Sequence, residues 1–185
     1  MIRTLRATAL LVGALLLGVT GCATTPSGDT DGATDTGAWT TGRLSIQVQA
    51  FQDRAAQSLS AAFELRGSAA SGELRLLSPL GTLLVAATWQ DQLATLSTPQ
   101  GQTRFDSLDQ LSQQALGETL PLAALPDWLA GRPWPQAAHQ PRADGFEQLG
   151  WRVQTDRFGD GWINALRESP PRVNLRVKLD RAEPS

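Results

Sequence analysis

Cysteine and histidine are almost absent from this chain. Its 185 residues include one cysteine, Cys22, and one histidine, His139. A single cysteine excludes an internal disulfide and a cysteine-based zinc site. No serine-nucleophile motif accompanies His139, so we expect a loop residue and not a member of a hydrolytic triad. The sequence therefore predicts a protein that is not an enzyme, with no catalytic residues, no metal site and no cofactor.

Long apolar runs and strong net charge are also lacking. The segment 7–19 is apolar but too short to span a bilayer comfortably, and no second long apolar run follows it. The formal net charge is −2 at pH 7, and it becomes −4 once a leader containing Arg3 and Arg6 is removed. This weak negative charge argues against non-specific binding to nucleic acid and indicates no partner by itself.

The first residues have the pattern of a secretory signal peptide. Arg3 and Arg6 precede the apolar segment, which ends in Val19-Thr20-Gly21-Cys22. That ending resembles the lipobox of bacterial lipoproteins. The resemblance implies cleavage before Cys22 and attachment of a diacylglycerol to its thiol. The alternative is an ordinary signal peptide followed by a chance cysteine, but an unpaired cysteine in an exported chain needs an explanation, and lipidation provides one.

The residue after Cys22 bears on where the protein resides. Ala23 stands where many lipoproteins retained at the inner membrane carry an aspartate. The lipoprotein resemblance therefore implies an outer-membrane location, with the chain anchored through Cys22 and the domain facing the periplasm.

Composition divides the chain into three parts. Residues 1–21 are the predicted signal peptide. Residues 22–38 begin with Cys22 and continue with small and polar residues that cannot bury enough surface to offset their chain entropy, which predicts a flexible tether. Residues 39–185 form the predicted domain, and the 164 residues left after cleavage suffice for one domain with a real core.

Most of the domain has the period of β-strands. Apolar and polar residues alternate around 44–50, 59–65, 73–77, 83–89 and 94–96, and again around 149–153 and 173–179. Short turns separate the early strands, which favours an antiparallel meander over crossover connections.

The middle of the domain changes to a helical period. Ser107 begins a capping-box pattern, and Gly117 is placed to end the helix that follows. A second helical segment covers 121–131 and should break or kink at Pro126. The proline-containing segment 132–148 is predicted to be a loop. The predicted fold class is therefore α+β, with one curved antiparallel sheet and helices in the middle of the sequence.

Four segments in order, together with the lipobox, resemble the LolB family. That family consists of outer-membrane lipoproteins that receive other lipoproteins from a periplasmic carrier and place them in the membrane. No single segment is diagnostic, but the ordered set covers nearly the whole predicted domain. The segments are Thr41-Gly42-Arg43-Leu44; Leu77-Ser78-Pro79-Leu80-Gly81; Leu116-Gly117 with Leu120-Pro121-Leu122 and Trp128-Leu129-Ala130-Gly131; and Gly150-Trp151-Arg152-Val153.

The resemblance implies an incomplete β-barrel, closed by helices, around a hydrophobic cavity for acyl chains. The partners would be a LolA-like carrier, acylated lipoprotein cargo and outer-membrane lipid, with no nucleic acid, and the chain would be a monomer. The alternative is a structural or assembly lipoprotein of the envelope with a close-packed core and no acyl cargo. The candidate cavity residues are Leu44, Ile46, Phe63, Leu76, Val85, Trp128, Trp151 and Val153.

Leu80 is predicted at the tip of a tight turn. Pro79 ends the strand ladder and Gly81 permits a sharp reversal. A leucine at such a tip either folds back into the core or projects into solvent. In the LolB family the matching leucine lies on a protruding loop and helps to move cargo into the bilayer. The resemblance therefore implies that Pro79, Leu80 and Gly81 form a membrane-transfer loop.

Overall fold

The structure is a computed structural model that describes residues 37–91 and 93–180. These residues belong to one compact unit. Cys22, the predicted signal peptide and nearly all of the predicted tether lie outside the described residues. Within the described part, none of the helices has the length and apolar character needed to cross a membrane.

Eleven strands and two short α-helices make up the described chain. The strands are β1 (Thr40–Val48), β2 (Gln57–Gly67), β3 (Ser71–Leu77), β4 (Leu83–Gln90), β5 (Leu93–Thr98), β6 (Gly101–Phe105), β7 (His139–Arg142), β8 (Gly145–Gln148), β9 (Trp151–Gln154), β10 (Trp162–Arg167) and β11 (Val173–Leu179). The helices are α1 (Leu108–Leu116) and α2 (Leu125–Leu129), and single 3₁₀ turns cover Leu122–Ala124 and Phe158–Asp160. The predicted α+β class is confirmed.

The strands form one antiparallel sheet in the order β6-β5-β4-β3-β2-β1-β11-β10-β9-β8-β7. The first and last strands, β1 and β11, pair in its middle, with Leu44 opposite Val177. Strands β6 and β7 are the edges of the described sheet and do not pair with each other, so the sheet is not closed into a barrel.

The sheet must curve strongly to build its core. β5 and β9 are seven strand spacings apart, which in a flat sheet would separate them by about 34 Å. Leu96 of β5 and Trp151 of β9 nevertheless line the same pocket. The face that carries these residues is therefore concave, and the two helices pack against it, with Leu111 of α1 and Trp128 of α2 in the buried core.

Buried and exposed side chains alternate along the strands between the concave and the convex face of the sheet. In β1, Leu44, Ile46 and Val48 are buried, whereas Arg43 and Gln47 on the opposite face are exposed. The concave face therefore carries the apolar set and the convex face carries the charged set, as expected for a sheet with one solvated face.

The helix boundaries agree with the predicted signals. The Oγ of Ser107 accepts a hydrogen bond from the Gln110 amide at 3.1 Å, and Gly117 ends α1 in a left-handed conformation, with φ of 70°. The second helical segment changes from a 3₁₀ turn to α2 next to Pro126, which lies in the first turn of α2, where proline is tolerated.

Two predictions for the C-terminal half were wrong. The segment 132–148 contains the hairpin β7–β8, in which Pro141 lies opposite Phe146. Proline is tolerated there because β7 is an edge strand of the described sheet. His139 accordingly lies in a strand and not in a loop. Leu149 also falls outside the predicted strand, in a turn with φ of 54°, and β9 begins at Trp151.

Strand β10 was not anticipated. Ile163 and Ala165 face the core, whereas Trp162 faces outward. Trp162 and Ile163 are adjacent and both apolar, so apolar and polar residues do not alternate at the start of β10. The pattern therefore gave no clear strand signal there.

Candidate functional site

An apolar pocket of about 400 Å³ lies between the concave face of the sheet and the helices. Its walls are mostly aliphatic side chains from β1 to β5 and from both helices, with further contributions from β9 and β11. Ser112 is one of the few polar residues there, and its hydroxyl is already used, since it donates to the Asp109 carbonyl and accepts from the Leu120 amide, both at 3.0 Å. The pocket therefore offers dispersion contacts and little polar chemistry.

The structure brings most of the predicted cavity residues together. The six on the pocket wall are Leu44, Ile46, Leu76, Val85, Trp128 and Trp151. Phe63 and Val153 do not line the pocket; they are 2% and 0% exposed and pack in the core. Phe63 fits tightly because β1 has a glycine beside it. A Cβ on Gly42 would lie 2.9 Å from the Phe63 ring and 2.3 Å from the Lys178 carbonyl oxygen.

Leu84 connects the pocket to the surface. It lines the pocket and is 41% exposed, and its neighbour Leu83 is 45% exposed. Leu83 pairs with Leu77 after a register irregularity in β3 and β4, and the connection between these two strands carries Leu80. An exposed part of the pocket wall therefore lies close to the β3–β4 turn.

The β3–β4 turn holds Leu80 away from the core. The Ser78 amide donates to the Thr82 carbonyl at 2.8 Å, and the Ser78 hydroxyl accepts from the Leu80 amide at 3.3 Å. Gly81 has φ of 80°, a conformation that side chains disfavour. Leu80 is 94% exposed, so the projecting alternative is the one present in the structure.

Gln148 holds the side chain of Trp128, a residue of the pocket wall, in position. The sequence analysis did not identify Gln148 as a functional residue. Its side-chain oxygen accepts from the Trp128 indole at 2.8 Å and from the Trp134 amide at 2.9 Å. Its side-chain nitrogen donates to the carbonyls of Trp134 and Ala137 at 2.8 and 2.7 Å. Gln148 is only 2% exposed, and these four bonds use its full hydrogen-bonding capacity. A glutamine in a predicted loop carried no signal of this role.

A buried carboxylate joins α1 to the sheet. Glu118 is 6% exposed and pairs with Arg54 and Arg167, with the Arg167 contact at 2.5 Å. These arginines lie 64 and 49 residues from Glu118 in sequence, so no local pattern could have indicated the cluster. A buried charge with two partners positions the end of α1 beside the pocket.

A larger groove of about 750 Å³ adjoins the apolar pocket and shares Pro121 and Trp151 with it. Its walls also carry Asp91, Asp109 and Arg167. Burying an acyl chain against these charged groups would cost free energy. We therefore take the smaller, aliphatic pocket as the candidate site.

The described ranges hold no cluster of three or more His, Cys, Asp or Glu side chains arranged to bind a metal ion. His139 is exposed on β7, where its ring packs edge-on against Phe146 with the ring centroids 6.4 Å apart.

Sequence comparison connects this fold and pocket with known proteins. The family model described as outer membrane lipoprotein LolB matches residues 38–181. Outer-membrane lipoprotein LolB of Ralstonia nicotianae is 36% identical over 187 aligned positions, which cover 93% of this chain and 88% of that protein. The chain therefore belongs to the LolB family of outer-membrane lipoproteins.

Further relatives have the same name. Outer-membrane lipoprotein LolB of Bordetella petrii is 30% identical over 181 positions, covering 92% of this chain and 88% of the relative. The protein of that name from Cupriavidus metallidurans is 33% identical over 116 positions, covering 59% and 55%. The resemblance that the sequence motifs indicated is confirmed.

Proposed function

We propose that this protein is an outer-membrane-anchored receptor that accepts lipoproteins from a periplasmic, LolA-like carrier and inserts them into the outer membrane. It would bind the acyl chains of the cargo in the apolar pocket. The observation that carries this proposal is an aliphatic pocket of about 400 Å³, lined in part by the solvent-exposed Leu84 close to the exposed Leu80, in a member of the LolB family.

The physical need for such a pocket follows from the cargo. Each methylene exposed to water costs roughly 0.8 kcal/mol, so an acylated protein cannot cross an aqueous space unaided. The pocket volume falls within the range of about 300–1,000 Å³ that is typical of small-molecule sites. Transfer changes no covalent bond. Its direction would follow from increasing affinity for the acyl chains, from carrier to receptor to bilayer.

The exposed leucines provide a route out of the pocket. Leu84 contacts both the pocket and the solvent, and Leu80 projects from the adjoining turn. A fully exposed leucine gains roughly 1.5–3 kcal/mol on entering an apolar phase. That gain favours a transient contact between the turn and the bilayer, through which an acyl chain would leave without crossing water.

The anchor would keep the receptor at its target membrane. Lipidation of Cys22 and a tether over residues 22–38 would hold the domain near the leaflet while allowing it to meet the periplasmic carrier. The pocket favours this function over the alternative of a structural lipoprotein with a filled core, because an aliphatic space of this volume would be an unfilled defect in such a core.

Two tryptophan substitutions test the proposal. Val85 lines the pocket, whereas Val153 is fully buried and does not line it. Val85→Trp should fill the pocket, reduce displacement of a fluorescent fatty-acid probe and reduce transfer of lipoprotein from a loaded carrier, with little loss of stability. Val153→Trp should lower the free energy of unfolding by about 1–3 kcal/mol through overpacking, and the folded fraction should still bind the probe.

The two variants separate the alternatives. If the parent protein neither displaces the probe nor accepts cargo, the proposed function is wrong. If Val85→Trp binds the probe as the parent does and loses stability as Val153→Trp does, the pocket is part of an ordinary core.

A further inference from the structure

The convex face of the sheet carries an unusual group of cations. Nine arginines in the described ranges pair with carboxylates within 4.0 Å. The four arginine and lysine residues of those ranges that lack such a pair are Arg43, Arg104, Arg176 and Lys178. Three of these four lie side by side, because Arg43 is opposite Lys178 and Ser45 is opposite Arg176 in the pairing of β1 with β11.

A tryptophan lies among these cations. Trp162 is opposite Lys178 in the pairing of β10 with β11, on the same convex face. The Lys178 Nζ is 5.3 Å from the centroid of its ring, and the Arg176 guanidinium carbon is 5.8 Å from it. Arg43, Trp162, Arg176 and Lys178 are called the basic face below. A tryptophan surrounded by cations is typical of surfaces that meet lipid headgroups.

Neighbouring acids form no ion pair with Arg43, Arg176 or Lys178 in the described ranges, and the Lys178 ammonium donates a hydrogen bond to the Asp160 backbone carbonyl at 2.5 Å. Arg157 also approaches the Trp162 ring. It is not part of the basic face, because it pairs with Asp160 at 3.6 Å. Glu64 on β2 pairs with Arg75 instead of Arg43. The Asp180 carboxylate, two residues beyond Lys178, accepts from the Thr41 hydroxyl at 3.1 Å and keeps its negative charge.

The chain enters the domain on this same convex face. Trp39, directly before β1, lies between two arginines of β2 and β3, at 4.4 Å from Arg66 and 4.6 Å from Arg75. Both arginines alternate with core-facing residues and therefore point outward. β1 begins at Thr40, so Arg43 follows after about 10 Å of strand. The segment that would carry the lipid at Cys22 thus joins the domain beside the basic face.

We propose that the basic face binds the anionic phospholipid headgroups of the membrane in which the chain is anchored. The argument for this partner is the joint position of Trp39, where the described chain enters the domain, the cations without an ion pair and Trp162. A groove of about 290 Å³ lies beside the basic face, and Trp162 and Arg176 line it together with Arg157 and the acidic Asp156. The proposal rests on the proposed anchoring at Cys22 but not on the acyl-chain pocket, and it concerns a different surface from the Leu80 turn.

Vesicle binding tests the proposal. The chain from residue 22 to 185 with Cys22→Ala, which lacks lipid, is sedimented with vesicles of phosphatidylcholine alone or mixed with an equal amount of phosphatidylglycerol. We expect binding to the mixed vesicles only, weakening as salt rises. Each cation near an anionic surface contributes about fivefold in affinity. The triple variant Arg43→Gln, Arg176→Gln, Lys178→Gln should therefore bind about a hundredfold more weakly.

Arg104→Gln is the matched control, because Arg104 is the remaining unpaired cation and lies on β6, away from the basic face. It should bind the mixed vesicles as the parent does. Equal binding to both vesicle types, parent-like binding by the triple variant, or equal losses for Arg104→Gln and Arg176→Gln would each overturn the proposal. If circular dichroism shows that the triple variant is unfolded, the single variant Arg176→Gln, at an exposed position, replaces it in the test. Its affinity for the mixed vesicles should be about fivefold lower than that of the parent, and parent-like affinity would overturn the proposal.

The same samples separate this proposal from the proposed function. Displacement of the fatty-acid probe should be unchanged in the triple variant, because the basic face and the pocket lie on opposite faces of the sheet. A parent that binds the anionic vesicles but does not displace the probe would leave the present proposal intact and contradict the acyl-chain receptor.

Discussion

Replacing Leu80 with glutamate separates cargo binding from cargo release. Leu80 is 94% exposed, and its turn is held by Ser78 and by the glycine at position 81, so the fold does not depend on its side chain. A substitution at such a surface position should change the free energy of unfolding by no more than about 0.5 kcal/mol. Leu80→Glu should therefore fold and displace the fatty-acid probe as the parent does.

Leu80→Glu should instead slow the release of cargo into the membrane. The leucine contributes roughly 1.5–3 kcal/mol when it enters lipid, which corresponds to a tenfold to hundredfold effect on a step that requires this contact. The glutamate adds a further penalty, because a charged side chain is costly inside the bilayer. Delivery of a labelled lipoprotein into liposomes should therefore slow by at least about tenfold, while uptake from the loaded carrier stays unchanged.

Leu93→Glu is a matched control for this experiment. Leu93 is 65% exposed at the start of β5, outside the β3–β4 turn, and the substitution introduces the same charge. It should deliver cargo at the parent's rate. Normal delivery by a stably folded Leu80→Glu protein, or an equal slowing in both variants, would refute the reasoning.

Two further predictions concern the anchor and the acid stability of the sheet. Cys22→Ala should remain an uncleaved or soluble precursor that takes up no labelled palmitate in cells, and incorporation of palmitate into this variant would contradict the lipobox interpretation. Burial raises the pKa of Glu73, but hydrogen bonds from Arg66 and Arg75 outweigh this and hold the pKa below its ordinary value of 4.5. Glu73 therefore contributes stability above that pH and loses it as the pH falls through the lower folded-state pKa. Acid unfolding of Glu73→Gln, followed by circular dichroism, should show a shallower loss of stability below pH 4.5 than the parent; identical profiles would contradict the assigned ion pairs.

Local signals predicted the elements that depend on local physics. The alternation around Leu44 and Ile46, the cap at Ser107 and the left-handed glycine after α1 all appear in the structure. The β7–β8 hairpin was missed because Pro141 indicates a loop unless the strand is known to lie at a sheet edge. Strand β10 was missed because Trp162 and Ile163 are adjacent apolar residues on opposite faces.

The candidate site was predictable only in part for the same reason. Val85 and Val153 both lie in predicted strands and both point to the concave face, yet only Val85 lines the pocket. Alternation indicates the face that a side chain occupies but not the group that opposes it. The partners of Gln148 and Glu118 were likewise beyond reach, since they lie many residues away along the chain.

The sequence by itself determined the sheet-forming segments of the N-terminal half, the closing strand, the capped helix, the tight turn at Leu80 and the family, because each depends on residues close together in the chain or on an ordered set of motifs. Only the tertiary structure decided that the sheet curves far enough for β5 and β9 to share a pocket. It alone placed Arg43 beside Lys178, residues far apart in sequence that become neighbours because the first and last strands pair. Curvature and the pairing of distant strands arise from the packing of the whole chain, and no local pattern encodes them.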